Sequence, residues 1–266
     1  MVALPGVPAA RPLSGADGRR RRHPHDAGRH PVSAPGDGPV LALDTAAGAC
    51  SVCLWRAGTV LAEETQAMAH GHAEALAPMV DRVARAAGVG LAELGAVAVT
   101  VGPGSFTGLR VGLAFARGLG LAVGCPVLGA TTTAVLAAMA RAPSESSGVP
   151  IAVVLDARRA EVYLQVFNAD GTPRGAPVSV APEAVADRLP DGPGRITGDG
   201  SALLPRPLPP EWVEAPDPAR PPAPAILAAL VSAPGAETVP PRPLYIRPPD
   251  ATLPPPNARA PASGPA

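Results

Sequence analysis

The sequence predicts an α/β protein with two lobes, and three observations support that prediction. Short apolar segments at 40–44, 51–56 and 59–65 are separated by tight turns, a pattern typical of an antiparallel meander. Further along, apolar segments alternate with stretches of helical periodicity, which indicates strands connected by crossover helices. A linker containing Ser and Pro at 141–150 then precedes a second series of apolar segments, which starts at 151.

The first lobe starts with the meander at Val40 and continues with a helix at 70–88. One face of this helix is apolar, because Leu76, Met79, Val80 and Val83 recur at i, i+3, i+4 and i+7. The following elements are predicted as a strand at 96–101, a helix at 105–123, a strand at 126–130 and a helix at 131–140. The resulting order, β-β-β-α-β-α-β-α, is the ribonuclease-H-like layout that is repeated in the actin-like ATPase (ASKHA) fold.

The predicted domain organisation has four parts. Residues 1–38 are rich in Pro, Gly and Arg without periodicity, so we expect a disordered extension there. The first lobe covers 39–140, the second α/β lobe covers 150–247, and a Pro-rich tail covers 248–266. Within the second lobe we expect two strands in 151–167, a helix at 181–189, a strand at 195–198, coil at 203–224 and a helix at 223–231.

Charge and composition exclude several classes of function. The chain has 22 basic and 22 acidic residues and a pI of about 7.0, so its overall charge does not favour nucleic acid or membrane surfaces. All basic residues are Arg, and without Lys no Walker-type or Schiff-base lysine is available. No apolar segment reaches the roughly 20 residues that span a bilayer. Three Cys in 266 residues indicate a reducing compartment, so we expect a cytoplasmic protein.

A glycine-rich segment follows the strand at 96–101 and leads into a helix, which is the setting of many phosphate sites. Its spacing, G-x-G-x-x-x-G at Gly102, Gly104 and Gly108, matches neither the dinucleotide fingerprint nor the Walker motif. A tight strand-to-helix turn capped by Ser105 explains the segment equally well. Asp44 ends the first strand, where ATP-using proteins of this fold keep an aspartate, but it also suits a turn-stabilising role. We retain Asp44, Gly102, Gly104 and Ser105 as a candidate nucleotide site.

The helix at 105–123 carries small residues at a spacing of four, at Gly108, Gly112, Ala116 and Gly120. Three glycines inside a helix cost about 1 kcal/mol each relative to Ala, so we expect a compensating contact. Small residues at this spacing let another backbone approach closely. The row therefore meets either another helix of the same lobe or another protein.

No catalytic residue and no metal site is predicted. Cys50 and Cys53 form a C-x-x-C, but on a strand their thiols point to opposite faces, so we expect two buried apolar side chains. His70 and His72 are two residues apart at a helix start and cannot share a helical face as a metal pair. Ser105 lies outside any G-x-S-x-G motif, which argues against a peptidase.

Six segments of the chain resemble, in order, landmarks of the bacterial TsaB family. They are VLALDTAAGACSVCLW, HGHAEALAPMVD, VTVGPGSFTGLRVGLAFARGLGLA, LDARRAEVY, TGDGS and PLYIRPPD, and they extend over 40–250. The GPGSFTGLRVGL piece is the most specific of them. The resemblance implies the two-lobed actin-like fold and a non-catalytic subunit in the synthesis of threonylcarbamoyladenosine beside the tRNA anticodon.

The resemblance also implies partners. Family members pair with the catalytic subunit TsaD through two helices of the first lobe, here 70–87 and 105–123. The expected interface residues are His72, Glu74, Leu76, Met79, Gly108, Arg110, Gly112, Ala116 and Gly120. The ATPase TsaE joins the larger complex, tRNA binds through the complex, and a homodimer is an alternative when TsaD is absent. No cofactor is expected, with ATP or ADP at a shared interface left open. The alternative function is a nucleotide-dependent phosphotransferase or ATPase of the same superfamily.

Overall fold

The computed structural model describes residues 38–141 and 148–247. The predictions for the extension at 1–38, except its last residue, for most of the linker at 141–150 and for the tail at 248–266 lie outside the described residues.

The first sheet has five strands in the order β3-β2-β1-β4-β5. Its strands are β1 (Val40–Asp44), β2 (Ala49–Arg56), β3 (Thr59–Ala67), β4 (Ala96–Thr100) and β5 (Val127–Ala130). The first three strands pair antiparallel, whereas β4 and β5 extend the sheet in parallel from β1. This is the meander extended by crossovers that the sequence predicts.

Four α-helices within the described residues cover the two faces of the first sheet. The helices α1 (His72–Ala87) and α2 (Phe106–Val123) pack on one face, where Leu41, Leu43, Val97 and Val99 form the core with them. On the other face, around Ala42 and Ala98, lie α4 (Pro224–Ser232) and Val135 of α3 (Thr132–Ala140). Leu136 and Ala137 of α3 pack instead against the apolar segment that starts at Ile151. The outer sides of α1 and α2 thus belong to one surface of the molecule.

The second sheet repeats the topology of the first. Its strands are β6 (Ile151–Asp156), β7 (Val162–Phe167), β8 (Val178–Val180), β9 (Gly194–Thr197) and β10 (Trp212–Glu214), in the order β10-β9-β6-β7-β8. Again the first three strands pair antiparallel and the last two extend the sheet in parallel. The repeated topology confirms the predicted fold class, although the two halves have no evident sequence repeat.

Three elements differ from the predictions. The helix expected at 181–189 is two short 3₁₀ turns, Pro182–Ala184 and Ala186–Arg188. Pro190 explains the early end, because a residue before proline disfavours the α conformation and Leu189 is extended. The coil expected at 203–224 contains β10, in which buried Trp212 packs over Gly194. Finally, α4 falls within the range predicted for the second lobe, 150–247, but it packs on the first sheet. The lobe boundaries themselves stay a prediction.

After α4 the chain crosses the molecule as a segment that we call the strap, residues 239–247. Val239 pairs with Gly129 at the edge strand β5, and the Leu244 amide donates to the Val101 carbonyl oxygen at 2.7 Å. Arg247 then reaches the turn between β6 and β7, where it forms an ion pair with Glu161 at 2.6 Å. The strap therefore joins the first sheet to the second.

The helix α2 is the only helix among the described residues that is long and apolar enough, by length and composition alone, to cross a membrane. In the structure it packs on the first sheet, and its exposed side carries Arg110 and Arg117.

Candidate functional site

The glycine-rich segment before α2 forms a capped strand-to-helix turn. The Ser105 hydroxyl oxygen accepts a hydrogen bond from the Gly108 amide at 3.3 Å, which makes Ser105 the N-cap of the helix. The Ser105 amide donates to the Ala46 carbonyl oxygen at 2.8 Å. A Cβ atom added at Gly104 would collide with that same oxygen. The turn between β1 and β2 therefore lies directly against the glycine-rich segment.

Asp44 lies behind this turn with no exposed surface. One carboxylate oxygen accepts from the Thr100 hydroxyl at 2.5 Å, whereas the other has no hydrogen-bond partner. Burial raises the pKa of Asp44 to about 6, although the Thr100 hydrogen bond and the amides of Ala46 and Ala47 oppose the rise. A fully buried carboxyl group cannot contact a nucleotide. Asp44 and the 102–105 segment thus do not fit a phosphate or its metal ion as they stand.

The row of small residues on α2 faces the interior of this chain. The Thr45 hydroxyl donates to the Gly108 carbonyl oxygen at 2.7 Å, and an added Cβ at Gly112 would collide with that hydroxyl oxygen. Ala116 is fully buried, and an added Cβ at Gly120 would collide with Val127. The row does not meet another helix of the lobe, the first of the two alternatives from the sequence; it packs against the β1–β2 turn and β5 of the same chain. The predicted partner role of Gly108, Gly112 and Ala116 is wrong, because these residues are buried within this chain, whereas Gly120 also lines an open groove on the outer side of α2.

Of the four interface residues predicted on α1, three are buried within this chain and one is exposed. Leu76 and Met79 are buried in the core of the first sheet, and His72 is only 9% exposed at the first position of the helix. These three side chains form the helix side that packs on the sheet, so their assignment to a partner surface is wrong. Glu74 is exposed in the first turn of α1, where its charge suits the helix dipole.

The side of α2 that faces solvent carries a second row of small residues. Ala114, Gly118 and Ala122 are exposed at a spacing of four, and the neighbouring Leu121 is 87% exposed. An open groove of about 730 Å³ runs along this side and ends at Cys125 and Val127. The sequence analysis missed this row because it contains one glycine instead of three. The spacing of four was nevertheless present in the sequence.

The two cysteines of the C-x-x-C are buried, as the sequence predicts. Cys50 and Cys53 are fully buried, and burial raises their thiol pKa values to about 11 and about 12, respectively. Ser105 contacts the Gly108 amide, and no hydrogen bond joins it to a histidine within the described part of the chain. The same part contains no group of three or more His, Cys, Asp or Glu side chains that could hold a metal ion.

The comparisons with known sequences agree with one another. The family model described as "TsaD: tRNA N6-adenosine threonylcarbamoyltransferase" matches residues 59–205, more than half of the chain. The Escherichia coli tRNA threonylcarbamoyladenosine biosynthesis protein TsaB is 38% identical over 132 residues, which cover 49% of this chain and 55% of the relative. The Haemophilus influenzae protein of that name is 39% identical, covering 47% and 51%. An uncharacterized Mycobacterium tuberculosis protein is 38% identical over 80% of this chain and 93% of its own length.

Among solved structures, YeaZ from Pseudomonas aeruginosa is 31% identical with a TM-score of 0.65, covering 78% of this chain and 99% of YeaZ. A second P. aeruginosa structure, an uncharacterized protein with similarity to peptidase YEAZ, has a TM-score of 0.67 at 30% identity, covering 79% of this chain and 100% of its own. Fold and duplicated topology define the class as a two-lobed protein of the actin-like ATPase fold. The chain belongs to the TsaB family. It spans about half the length of the E. coli and H. influenzae relatives that it matches.

Proposed function

We propose that this chain is the non-catalytic scaffold subunit of the complex that transfers a threonylcarbamoyl group to the tRNA adenosine next to the anticodon. In that role it docks on the catalytic subunit TsaD and holds that enzyme in its active arrangement, within the cytoplasm. The names of its E. coli and H. influenzae relatives support the pathway. The match to the TsaD family model supports a common fold for the two partners, so that equivalent helices can pair.

The observation that carries this proposal is the exposed outer side of α2. Leu121 is a large apolar side chain with 87% of its surface in solvent, and it lies in a groove lined by small residues, among them Gly118, and by one charged residue, Arg117. Small residues on a helix surface permit a partner helix to approach closely, and burial of Leu121 provides a favourable free energy. An apolar surface of this kind is typical of a protein interface.

The neighbouring helix α1 supplies a compatible rim. Its exposed charges are largely paired within the chain: Arg82 contacts Glu64 at 2.6 Å, and Arg85 contacts Asp81 at 3.0 Å. Paired charges at an edge can remain solvated while the apolar centre is buried, which is the usual arrangement of an interface. Glu74, in the first turn of α1, is the one exposed acidic residue that we retain from the sequence prediction for contact with TsaD.

The direct test is Gly118→Arg in the full chain, followed by co-purification with TsaD from the same organism. An added side chain at Gly118 meets no atom within 4 Å, so the variant should fold normally. We expect it to lose TsaD, because the arginine would project into the surface on which the partner helix lies. Undiminished pairing would contradict the proposed interface.

The matched control is Leu203→Arg. Leu203 is also an exposed leucine, at 46%, but it belongs to the second half of the chain. This variant should retain TsaD. Light scattering of the wild type without TsaD tests the alternative pairing, since a homodimer that uses the same surface should dissociate when Gly118 is replaced by Arg.

The scaffold role has its own test. Threonylcarbamoyl transfer to tRNA is measured with TsaD, TsaE and the adenylate-forming enzyme, with and without this chain. We expect no transfer by this chain in the absence of TsaD, and a large loss of transfer when this chain is omitted. Transfer by the chain without TsaD would contradict the non-catalytic role.

A further inference from the structure

Arg117 is the one charged side chain among the described residues that line the groove on the outer side of α2. The other lining residues are small or apolar, among them Ala114, Gly118 and Leu121. Arg117 follows Ala114 by three residues and precedes Leu121 by four, so these side chains lie on the same side of the helix. Along the helix axis, the charge therefore lies within the groove and not at its end.

The two arginines of α2 differ in their surroundings. Arg110 is engaged within the chain, because its Nε donates to the Tyr245 hydroxyl at 3.1 Å and its guanidinium carbon lies 3.8 Å from the centre of the Phe106 ring. The Tyr245 and Phe106 rings form one exposed cluster with their centroids 5.5 Å apart. Arg117 is exposed and makes no hydrogen bond or ion pair with any described residue. Its guanidinium group is therefore available to a partner.

Among the described residues, no carboxylate lines this groove. The helix α2 contains no Asp or Glu, and β5, which borders the groove at Val127, contains none either. On the neighbouring helix α1, Asp81 already contacts Arg85 at 3.0 Å, and Glu74 is exposed outside the groove. A carboxylate that meets Arg117 in the groove therefore has to come from the partner.

A partner that covers this groove changes the surroundings of Arg117. Burial of Leu121 and close approach at Gly118 also cover the stem of Arg117, because these residues are neighbours on one side of the helix. A guanidinium group that loses water without gaining a charged acceptor carries a large desolvation cost. A carboxylate of the partner offsets that cost, because its two oxygens accept the two parallel N–H bonds that arginine can donate. The complementary surface thus carries an acidic side chain beside its contact with Leu121.

A second copy of this chain does not meet that requirement. A two-fold pair brings the same groove from both copies into one interface. That interface would hold two Arg117 guanidinium groups, and no carboxylate lines the groove among the described residues of either copy. Like charges in an interface that excludes water are screened little, so their repulsion disfavours self-pairing.

We propose that Arg117 is a specificity-determining residue of the docking surface: it selects TsaD, through a carboxylate that TsaD presents to α2, over a second copy of this chain. The inference rests on the proposed function, which supplies TsaD as the docking partner. It adds the chemistry of the partner surface, an acidic side chain beside small and apolar contacts. It also gives a reason why the mixed pair forms in place of the homodimer.

The experiment measures the affinity of TsaD from the same organism for the full chain and its variants by isothermal titration calorimetry. Arg117→Gln should weaken TsaD binding by about 30-fold or more, the effect of truncating one member of a buried charge pair. Arg117→Lys keeps the charge and should bind more tightly than Arg117→Gln. The wild-type affinity should fall more steeply than that of Arg117→Gln between about 50 and about 300 mM salt. Arg188→Gln, which removes an exposed arginine in the second half of the chain, is the charge-matched control and should bind TsaD as the wild type does.

The same variants test the selection against self-pairing. In light scattering without TsaD, Arg117→Gln should self-associate with a dissociation constant about tenfold or more below that of the wild type, because the repulsion is removed. Arg188→Gln should self-associate as weakly as the wild type. Arg117→Glu should lose TsaD, and a lysine in place of one acidic residue on the docking helices of TsaD should restore binding, since the two charges are then exchanged.

Unchanged TsaD affinity in Arg117→Gln would overturn the inference, and so would an equal salt dependence in this variant and the wild type. A wild-type homodimer as stable as the mixed pair would contradict the selection. These results leave the docking of TsaD intact if Gly118→Arg still abolishes it. Retention of TsaD by Gly118→Arg, or absence of TsaD binding in the wild type, would instead contradict the proposed function, and the inference with it.

Discussion

Asp44 is a fully buried carboxyl group that is only partly satisfied by hydrogen bonds. Its carboxyl group has no exposed surface, and Thr100 satisfies only one of its two oxygens. In the folded chain its pKa is about 6, against an ordinary value of 3.8, with burial as the main cause. A carboxyl pKa raised by folding means that the folded state prefers the neutral acid. Ionisation of Asp44 therefore destabilises the fold as the pH rises from about 4 through about 6.

Asp44→Asn should remove this pH dependence. Well below the ordinary pKa of 3.8 the wild-type carboxyl is neutral in both states, and by pH 7 its ionisation should cost about 2–3 kcal/mol. The amide is neutral throughout, and its oxygen can still accept from Thr100. We therefore expect the free energy of unfolding of the variant to exceed that of the wild type increasingly between pH 4 and 7, measured by urea denaturation. Asp187→Asn, at an exposed site, should follow the wild type; a parallel shift of both variants would contradict the assignment.

At the scale of the element, α2 shows that one helix can carry two rows of small residues with opposite roles. The row at Gly112 lies against the β1–β2 turn, so its missing side chains permit close packing inside the chain. The row at Gly118 is exposed and has no neighbouring atom within 4 Å. Because the rows are offset by two residues, roughly half a turn, they face opposite directions. The packing of α2 inside the chain depends on the first row. In our proposal, the docking of TsaD depends on the second.

The two glycines should respond oppositely to alanine. Gly112→Ala places a methyl group against the Thr45 hydroxyl and disturbs its hydrogen bond to Gly108, so we expect a loss of about 1–3 kcal/mol of unfolding free energy. Gly118→Ala adds a methyl group in open space and improves helix propensity, so we expect a gain of about 0.5–1 kcal/mol. Thermal and urea unfolding of both variants measure this. If the Gly112→Ala variant were more stable than the wild type, the β1–β2 turn would have to move to accommodate the methyl group at little cost in free energy.

The two rows of small residues on α2 show which features of the structure can be predicted from the sequence and which cannot. The apolar spacing of α1 correctly places Leu76 and Met79 on one face, and the element order correctly predicts the first sheet. Periodicity alone, however, assigns a face to the core only where large apolar residues occupy it. On α2 the buried row consists of residues without side chains, so its inward orientation depends on Thr45, which lies 63 residues from its partner Gly108. The contact of Tyr245 with Phe106 is equally long-range and could not be predicted.

At the scale of the whole molecule, the strap is what connects the two duplicated sheets on one side. It starts as an extra pairing beside β5 at Val239, passes the cluster around Tyr245, and ends at Arg247 on the turn between β6 and β7. The chain already crosses between the sheets twice, after α3 and between β10 and α4, and α3 has residues in both cores, so the strap adds a further set of non-covalent contacts between the sheets. Such a connection limits the motion of one sheet relative to the other, as a closed loop of contacts does.

Arg247→Gln tests that connection. The guanidinium group satisfies two carbonyl oxygens and Glu161 at once, and glutamine is too short and neutral to replace these contacts. We expect the left-handed turn at 157–161 to relax and the unfolding free energy to fall by about 1–3 kcal/mol, since hydrogen bonds to a charged group are lost at a partly buried site. Amide hydrogen exchange should accelerate in this turn and at Leu244, whose amide bonds to Val101, whereas β1 should remain protected. Arg242→Gln, an exposed arginine on the same strap, should leave both measurements unchanged. Faster exchange at 157–161 with no change at Leu244 would mean that the two ends of the strap are independent and that this segment does not couple the two sheets.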